Sequence, residues 1–143
     1  MSTSEPFPLP RLEPALERVQ AHWRSLLRGA NDIPFWDDFK PQALPQDQNR
    51  LMLLDVFEKP QRFRFNSVLG ADIEQHYGRA VSDLFTDEVE TKTPFEYLNA
   101  QAGATVEGSK PTYYAGTKYS RLILPMWGDG RIGMLLCAFD WRT

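Results

Sequence analysis

The 143-residue chain has few of the side chains that most often carry chemistry: one cysteine, Cys137, and two histidines, His22 and His76. A single cysteine cannot close an internal disulfide, which excludes a disulfide-stapled secreted scaffold. No apolar run approaches the length of a transmembrane helix. The opening MSTSEPFPLP has neither the basic start nor the apolar core of a signal peptide. These absences predict a cytoplasmic protein with no membrane insertion. Lysines and arginines are scattered and the formal net charge is -3. A chain that gripped a nucleic acid by its phosphates would show a basic stripe, so nucleic acid is not an expected partner. CxxC, HExxH and Gly-Lys-Ser motifs are all missing.

What is present suffices for one folded domain. Hydrophobic residues make up 42% of the chain and charged residues 24%, which excludes a wholly disordered polymer. Of the 11 prolines, four fall in the first fourteen residues, which argues against an all-helical bundle. Residues 1–11 read as a flexible tail, residues 12–29 as a helix and residues 30–143 as the main body. In the helix, Pro14 suits the first turn and Gly29 the stop. Leu12, Leu16, Val19, Trp23 and Leu26 recur at spacings of four and three, a one-sided apolar stripe. Two readings stand open for it: packing on the chain's own sheet, or an interface with a second subunit.

Beyond an irregular link anchored by Phe35, Trp36 and Phe39, Leu51 to Phe57 reads as a strand, Glu58-Lys59-Pro60 as a turn, and Arg62 to Asn66 as a half-buried strand with Phe63 and Phe65 inward. Short helical pieces broken by Gly78 fill 70–85. A longer helix is expected from Thr93, with Thr93 as cap, Pro94 in the first turn, Glu96 three residues after the cap, and Gly108 at the end. Three strands follow: Thr112 to Tyr119, Ser120 to Trp127 and, after Gly128-Asp129-Gly130, Arg131 to Trp141. Leu122, Leu124 and Met126 share one side, with Arg64 and Arg121 expected on outward faces. Helices between a hairpin and a meander predict an α+β domain with a five-stranded antiparallel sheet.

Three segments carry a resemblance. The first is Trp23-Arg24-Ser25-Leu26-Leu27-Arg28-Gly29 with the link to Phe39 and Pro41. The second is Arg62-Phe63-Arg64-Phe65 leading to Gly70 and Tyr77-Gly78-Arg79. The third is Tyr119-Ser120-Arg121-Leu122-Ile123-Leu124-Pro125-Met126 before Asp129-Gly130. With this element order, the chain over roughly residues 12–140 resembles the PAS domains, in particular the small stand-alone PAS-related proteins of alphaproteobacteria. It departs from the family pattern at Ala71, where a threonine is frequent, and at Ser82, where a second glycine is frequent. The resemblance implies a sensory or regulatory module that signals through a protein partner or a homodimer. It also implies a core space between sheet and long helix. Phe63, Phe65, Phe95, Leu98, Leu122, Leu124 and Met126 are the candidate lining, with Tyr97 and Tyr113 supplying hydroxyls to orient a small apolar ligand.

No cofactor follows from the residues. A PAS haem site would place its histidine on the long helix, which has none, so haem is disfavoured. The Asn-Cys-Arg-like motif of the flavin photosensors is missing, so a covalent flavin adduct is disfavoured too. Cys137, in an apolar run, reads as a buried thiol. Asp37-Asp38 and Asp87-Glu88-Val89-Glu90 read as solvated acids, and no metal site is expected. With no convergent acid–base set, the expectation is a non-enzyme. A ligand carrier and a small α+β enzyme are the alternatives. Because the chain has no length for an output domain, a signal is expected to leave by contact, with Arg62, Arg64, Trp127 and Trp141 as candidate surface anchors.

Overall fold

The computed structural model describes residues 5–142. Helix α1 (Pro14–Ser25) opens the fold. It is followed by strands β1 (Leu51–Phe57) and β2 (Arg62–Leu69), helices α2 (Ala71–Tyr77) and α3 (Leu98–Gly108), and strands β3 (Thr112–Ala115), β4 (Tyr119–Gly128) and β5 (Arg131–Trp141). Short 3-10 turns fill the links, among them Trp36–Asp38, Pro41–Ala43, Gln48–Arg50 and Thr86–Glu88. The five strands form one open sheet in the order β2-β1-β5-β4-β3, with every pair antiparallel. The expected α+β class and antiparallel sheet are therefore present. Among the described residues, no helix is long and apolar enough to cross a membrane.

The centre of the sheet is buried on both faces. One face carries Met52, Leu54, Phe63, Phe65, Ile123, Leu135, Cys137 and Phe139, covered by α2 and α3. The other carries Leu51, Leu53, Leu122, Leu124, Met126, Leu136 and Ala138, covered by α1 and by Phe39 and Leu44 from the link. This is why β4 and β5 read as nearly continuous apolar runs: successive side chains point to opposite faces, and both faces are dry. The stripe on α1 is spent on this packing. Leu16, Val19 and Trp23 are buried, and Leu12 and Leu26 pack at its margins. The Trp23 indole also donates to the Pro125 carbonyl of β4, 2.9 Å away. Of the two readings of the stripe, the single chain uses packing on its own sheet. Asp47, fully buried, ties the link to the helix by accepting from Arg18 at 2.8 Å.

Several boundaries differ from the sequence expectation, those of β4 by one residue at each end. Helix α1 stops at Ser25 rather than near Gly29, because Leu26 and Leu27 close it with tighter bonds to the Trp23 and Arg24 carbonyls. Strand β2 continues to Leu69, and β3 ends at Ala115. Helix α3 begins at Leu98, not at Thr93. Thr93 Oγ1 donates to the Glu96 carboxylate at 2.9 Å instead of capping a backbone amide, and Tyr97 takes a left-handed φ of 58°. Residues 1–4 of the expected tail, and Thr143 of the expected body, lie outside the described residues. Residues 5–11 are tethered: the Phe7 carbonyl accepts from Tyr113 N at 3.1 Å, and Glu5 pairs with Lys110.

The start of α2 depends on close backbone contact. Gly70 N donates to the Leu51 carbonyl at 2.8 Å, and a Cβ on Gly70 would collide with the Asn49 backbone. Gly103, inside α3, meets only ordinary contact. Gly70→Ala is expected to cost about 1–3 kcal/mol in urea denaturation, as overpacking against rigid backbone does. Gly103→Ala is expected to raise stability by up to about 1 kcal/mol, by restricting the unfolded chain and favouring helix.

Candidate functional site

The residues expected to line one chamber do not meet. Phe63, Phe65, Phe95 and Leu98 lie together under α2 and α3. The Phe95 ring stands 5.0 Å from Phe65 and 4.7 Å from Tyr77, so aromatic rings fill the space there. Leu122, Leu124 and Met126 point the other way, into the layer beneath α1, and Tyr113 joins them. The Tyr113 hydroxyl bonds with the Glu13 carboxylate and with Ser120 Oγ, at 3.1 and 2.8 Å. Tyr97 is 65% exposed. The reason is the period of two along β4. If Leu122, Leu124 and Met126 face α1, their neighbours Arg121 and Ile123 must face α3.

Arg121 was expected outside and is instead fully buried. Its Nε donates to Gln101 Oε1 at 2.7 Å, Nη1 to the Pro94 carbonyl at 2.9 Å and Nη2 to the Glu96 carbonyl at 2.8 Å. Its guanidinium stands 5.0 Å from the Tyr114 ring centroid. Gln101 in turn donates to Thr112 Oγ1 and to the Arg121 carbonyl, and Thr105 bonds to Thr112 at 2.6 Å. Gln101 and Thr105 escaped the sequence reading, although a signal for them exists. Leu98, Gln101, Ala102 and Thr105 have the spacing of one helical face, and a polar residue on such a face needs a buried partner.

Beside this hub, the Tyr119 hydroxyl donates to Glu96 Oε1 at 2.6 Å. Burial pushes the Glu96 carboxyl up. The Tyr119 and Thr93 hydrogen bonds and the Arg121 charge more than offset it, leaving the group below the ordinary carboxylate range. Burial, and then the bond to Glu96, push Tyr119 above the ordinary tyrosine range. Near neutrality, therefore, Glu96 stays ionised and Tyr119 protonated, and neither is poised to exchange a proton. Burial pushes the Cys137 thiol up to about 12, with the Arg121 charge opposing, so no thiolate nucleophile stands there. A surface hollow of about 410 Å³ lies outside the hub, lined by Thr91, Glu96, Tyr97, Leu98, Asn99 and Ala100.

The remaining candidates separate. Asp87 is forked by Arg62, whose guanidinium lies 3.7 Å from the Phe85 ring centroid. Asp38 is forked by Arg28 at 2.6 and 2.7 Å. Arg64 does face outward, where it pairs with Asp55 at 3.1 Å. His22 is half-buried near Phe39, and His76 stacks on Trp141 at 3.8 Å. Among the described residues, no group of three or more His, Cys, Asp or Glu residues is arranged to hold a metal ion. Trp127 and Trp141 sit at opposite ends of the β4–β5 ladder and do not form one surface.

Trp127 belongs instead to an aromatic patch that the link builds. Residues 33–38 run along the end of β4, where Trp127 N donates to the Pro34 carbonyl at 2.8 Å and Phe35 bridges Trp127 in parallel. The Trp36 indole lies over Gly128, where a Cβ would collide with it. Trp36 is 46% exposed and Trp127 36%. Beside Trp127 opens a hollow of about 240 Å³ lined by Asn31, Asp32, Ile33, Phe35 and Trp127. Comparison of the chain with family models, with curated proteins and with solved structures finds no match.

Arg121→Leu should leave Gln101, Pro94 and Glu96 acceptors unpaired and cost about 3 kcal/mol or more in urea denaturation. Hydrogen exchange should quicken first around residues 94–101. The Glu96 shift sets a second outcome. A depressed carboxyl stabilises the fold above the unfolded glutamate pKa, and that contribution fades as the pH falls through the lower folded value. Stability measured from pH 6 down to pH 3 should therefore fall less steeply in Glu96→Gln than in the parent.

Proposed function

We propose that the chain is a non-catalytic, cytoplasmic PAS-like regulatory module that acts by contact with a protein rather than by holding a ligand. The observation that carries this reading is the exposed pair Trp36 and Trp127, in a chain whose other large apolar side chains are mostly spent on its own core. Tryptophan is favoured as an anchor of protein interfaces, and exposed aromatic surface beside a fixed strand end is where such anchors serve.

The interior supports contact over carriage. The space that the PAS resemblance reserves for a ligand is occupied by Phe65, Phe95, Tyr77 and the Arg121 network. A carrier needs an enclosed chamber lined by apolar groups, with a few polar groups converging on it. Here the converging polar groups bond to one another. An enzyme would need an acid or base near its working pH, and Glu96 and Tyr119 are driven away from it.

Strand β4 gives the contact a route inward. Trp127 is two residues from Pro125, which holds the α1 indole Trp23, and six from Arg121, which holds the entry to α3. A partner at the patch biases the placement of α1 or α3 only through a difference in affinity between their arrangements.

Two measurements test the reading. Native mass spectrometry of protein purified without additives should give the mass of the bare polypeptide. A small molecule that reproducibly co-purifies and is released on denaturation would overturn the reading in favour of a carrier. A photo-crosslinking amino acid placed at position 36 or 127 in the native host should yield a discrete crosslinked species, and at the exposed position 79 it should yield none. Equal crosslinking at all three positions, or none at 36 and 127, would count against the patch.

A further inference from the structure

We infer that the hollow beside Trp127 receives an arginine side chain from a basic segment of the partner protein. This rests on the contact reading above and adds the chemistry of the partner. The walls argue first. Trp127 offers an aromatic face, Phe35 adds a ring that already carries Arg28, Ile33 closes an apolar side, and Asn31 and Asp32 supply polar atoms. Aromatic faces attract cations, and a planar guanidinium stacks on them and forks onto a carboxylate where an ammonium cannot.

The rim argues second. Of the five lining residues only Asp32 is charged, and it makes no ion pair among the described residues. No cation lines the hollow, and Arg28 nearby is committed to Asp38. The one charge on the wall is therefore negative and unpaired, which complements a basic segment.

The chain argues third by its own example. Arg28 lies 5.0 Å from the Phe35 ring centroid while forking onto Asp38 at 2.6 and 2.7 Å. A second guanidinium against Trp127, with Asp32 as its carboxylate, repeats that arrangement. The volume, about 240 Å³, lies below the span usual for drug-sized ligands and suits one long side chain entering from solvent.

The test is an NMR titration of the full chain with an acetylated, amidated hexa-arginine peptide, following the four tryptophan indole N–H signals. The Trp127 signal should shift and saturate, while that of the buried Trp23 stays in place. Asp32 is exposed and makes no ion pair, so Asp32→Asn should keep the parent melting temperature; it should weaken the peptide about tenfold, the loss of one charge-assisted fork. Hexa-lysine, with equal charge but no planar group, should bind several-fold more weakly. Shifts confined to other residues, equal affinity for hexa-lysine, or an Asp32→Asn variant that binds as the parent does would each overturn the inference. So would tetramethylammonium displacing the peptide at comparable concentration, since the occupant would then be a small organic cation. Crosslinks at 36 and 127 without peptide binding would leave the contact reading standing and remove the basic partner. Peptide binding at Trp127 without crosslinks would remove the contact reading and leave the chemistry of the hollow.

Discussion

Arg121 is a cation in a strand covered on both faces, so its guanidinium must find its partners inside the protein or not be buried at all. It finds two backbone carbonyls and one amide, and these partners shape what lies around them. The Pro94 and Glu96 carbonyls turn toward β4 rather than along a helix axis, and α3 starts only at Leu98. Gln101, held by Arg121, draws Thr112 and Thr105 into the same network and so pins the edge strand β3 to α3. The segment that Arg121 anchors also sets Glu96 where Tyr119 reaches it.

The two faces of β4 make the domain a sandwich of layers with the sheet in the middle. The α1 layer is apolar where it meets Leu122, Leu124 and Met126, and is polar at its margin, where Glu13, Tyr113 and Ser120 bond and Arg142 also reaches Ser120. The α2/α3 layer is filled by aromatic rings around one guanidinium. With both layers occupied, exposed aromatic surface remains at Tyr97 and where the link carries Trp36 over Gly128 beside Trp127. That place owes its shape to a missing side chain: any Cβ at Gly128 would displace the indole.

How far the site was legible follows from particular residues. Leu51–Phe57 and Arg131–Trp141 have, as strands, the bounds their apolar runs predict, and the Arg62-Phe63-Arg64-Phe65 alternation fixes which rings turn inward. The same alternation in Arg121-Leu122-Ile123-Leu124 misleads. In a sheet with one wet face the arginine belongs outside, and nothing local says that α1 has dried that face. Gln101 and Thr105 had a readable position on a helical stripe, whereas the identity of their partner did not. The patch was half visible: Trp36 and Trp127 are conspicuous, but they lie 91 residues apart in a 143-residue chain and are brought together by the Pro34–Trp127 hydrogen bond, the Phe35–Trp127 bridge and the packing of Trp36 over Gly128.

The amino-acid order by itself determined the strands, the N-terminal helix and their order along the chain, because periodicity and turn chemistry act over a few neighbouring residues. The tertiary structure alone decided which face of β4 is which and where the arginine goes. It also separated the nine residues expected to surround one chamber into two layers and an exposed rim. The physical reason is that a strand's two faces are equivalent until something covers them, and what covers the second face here is α1, about a hundred residues away along the chain.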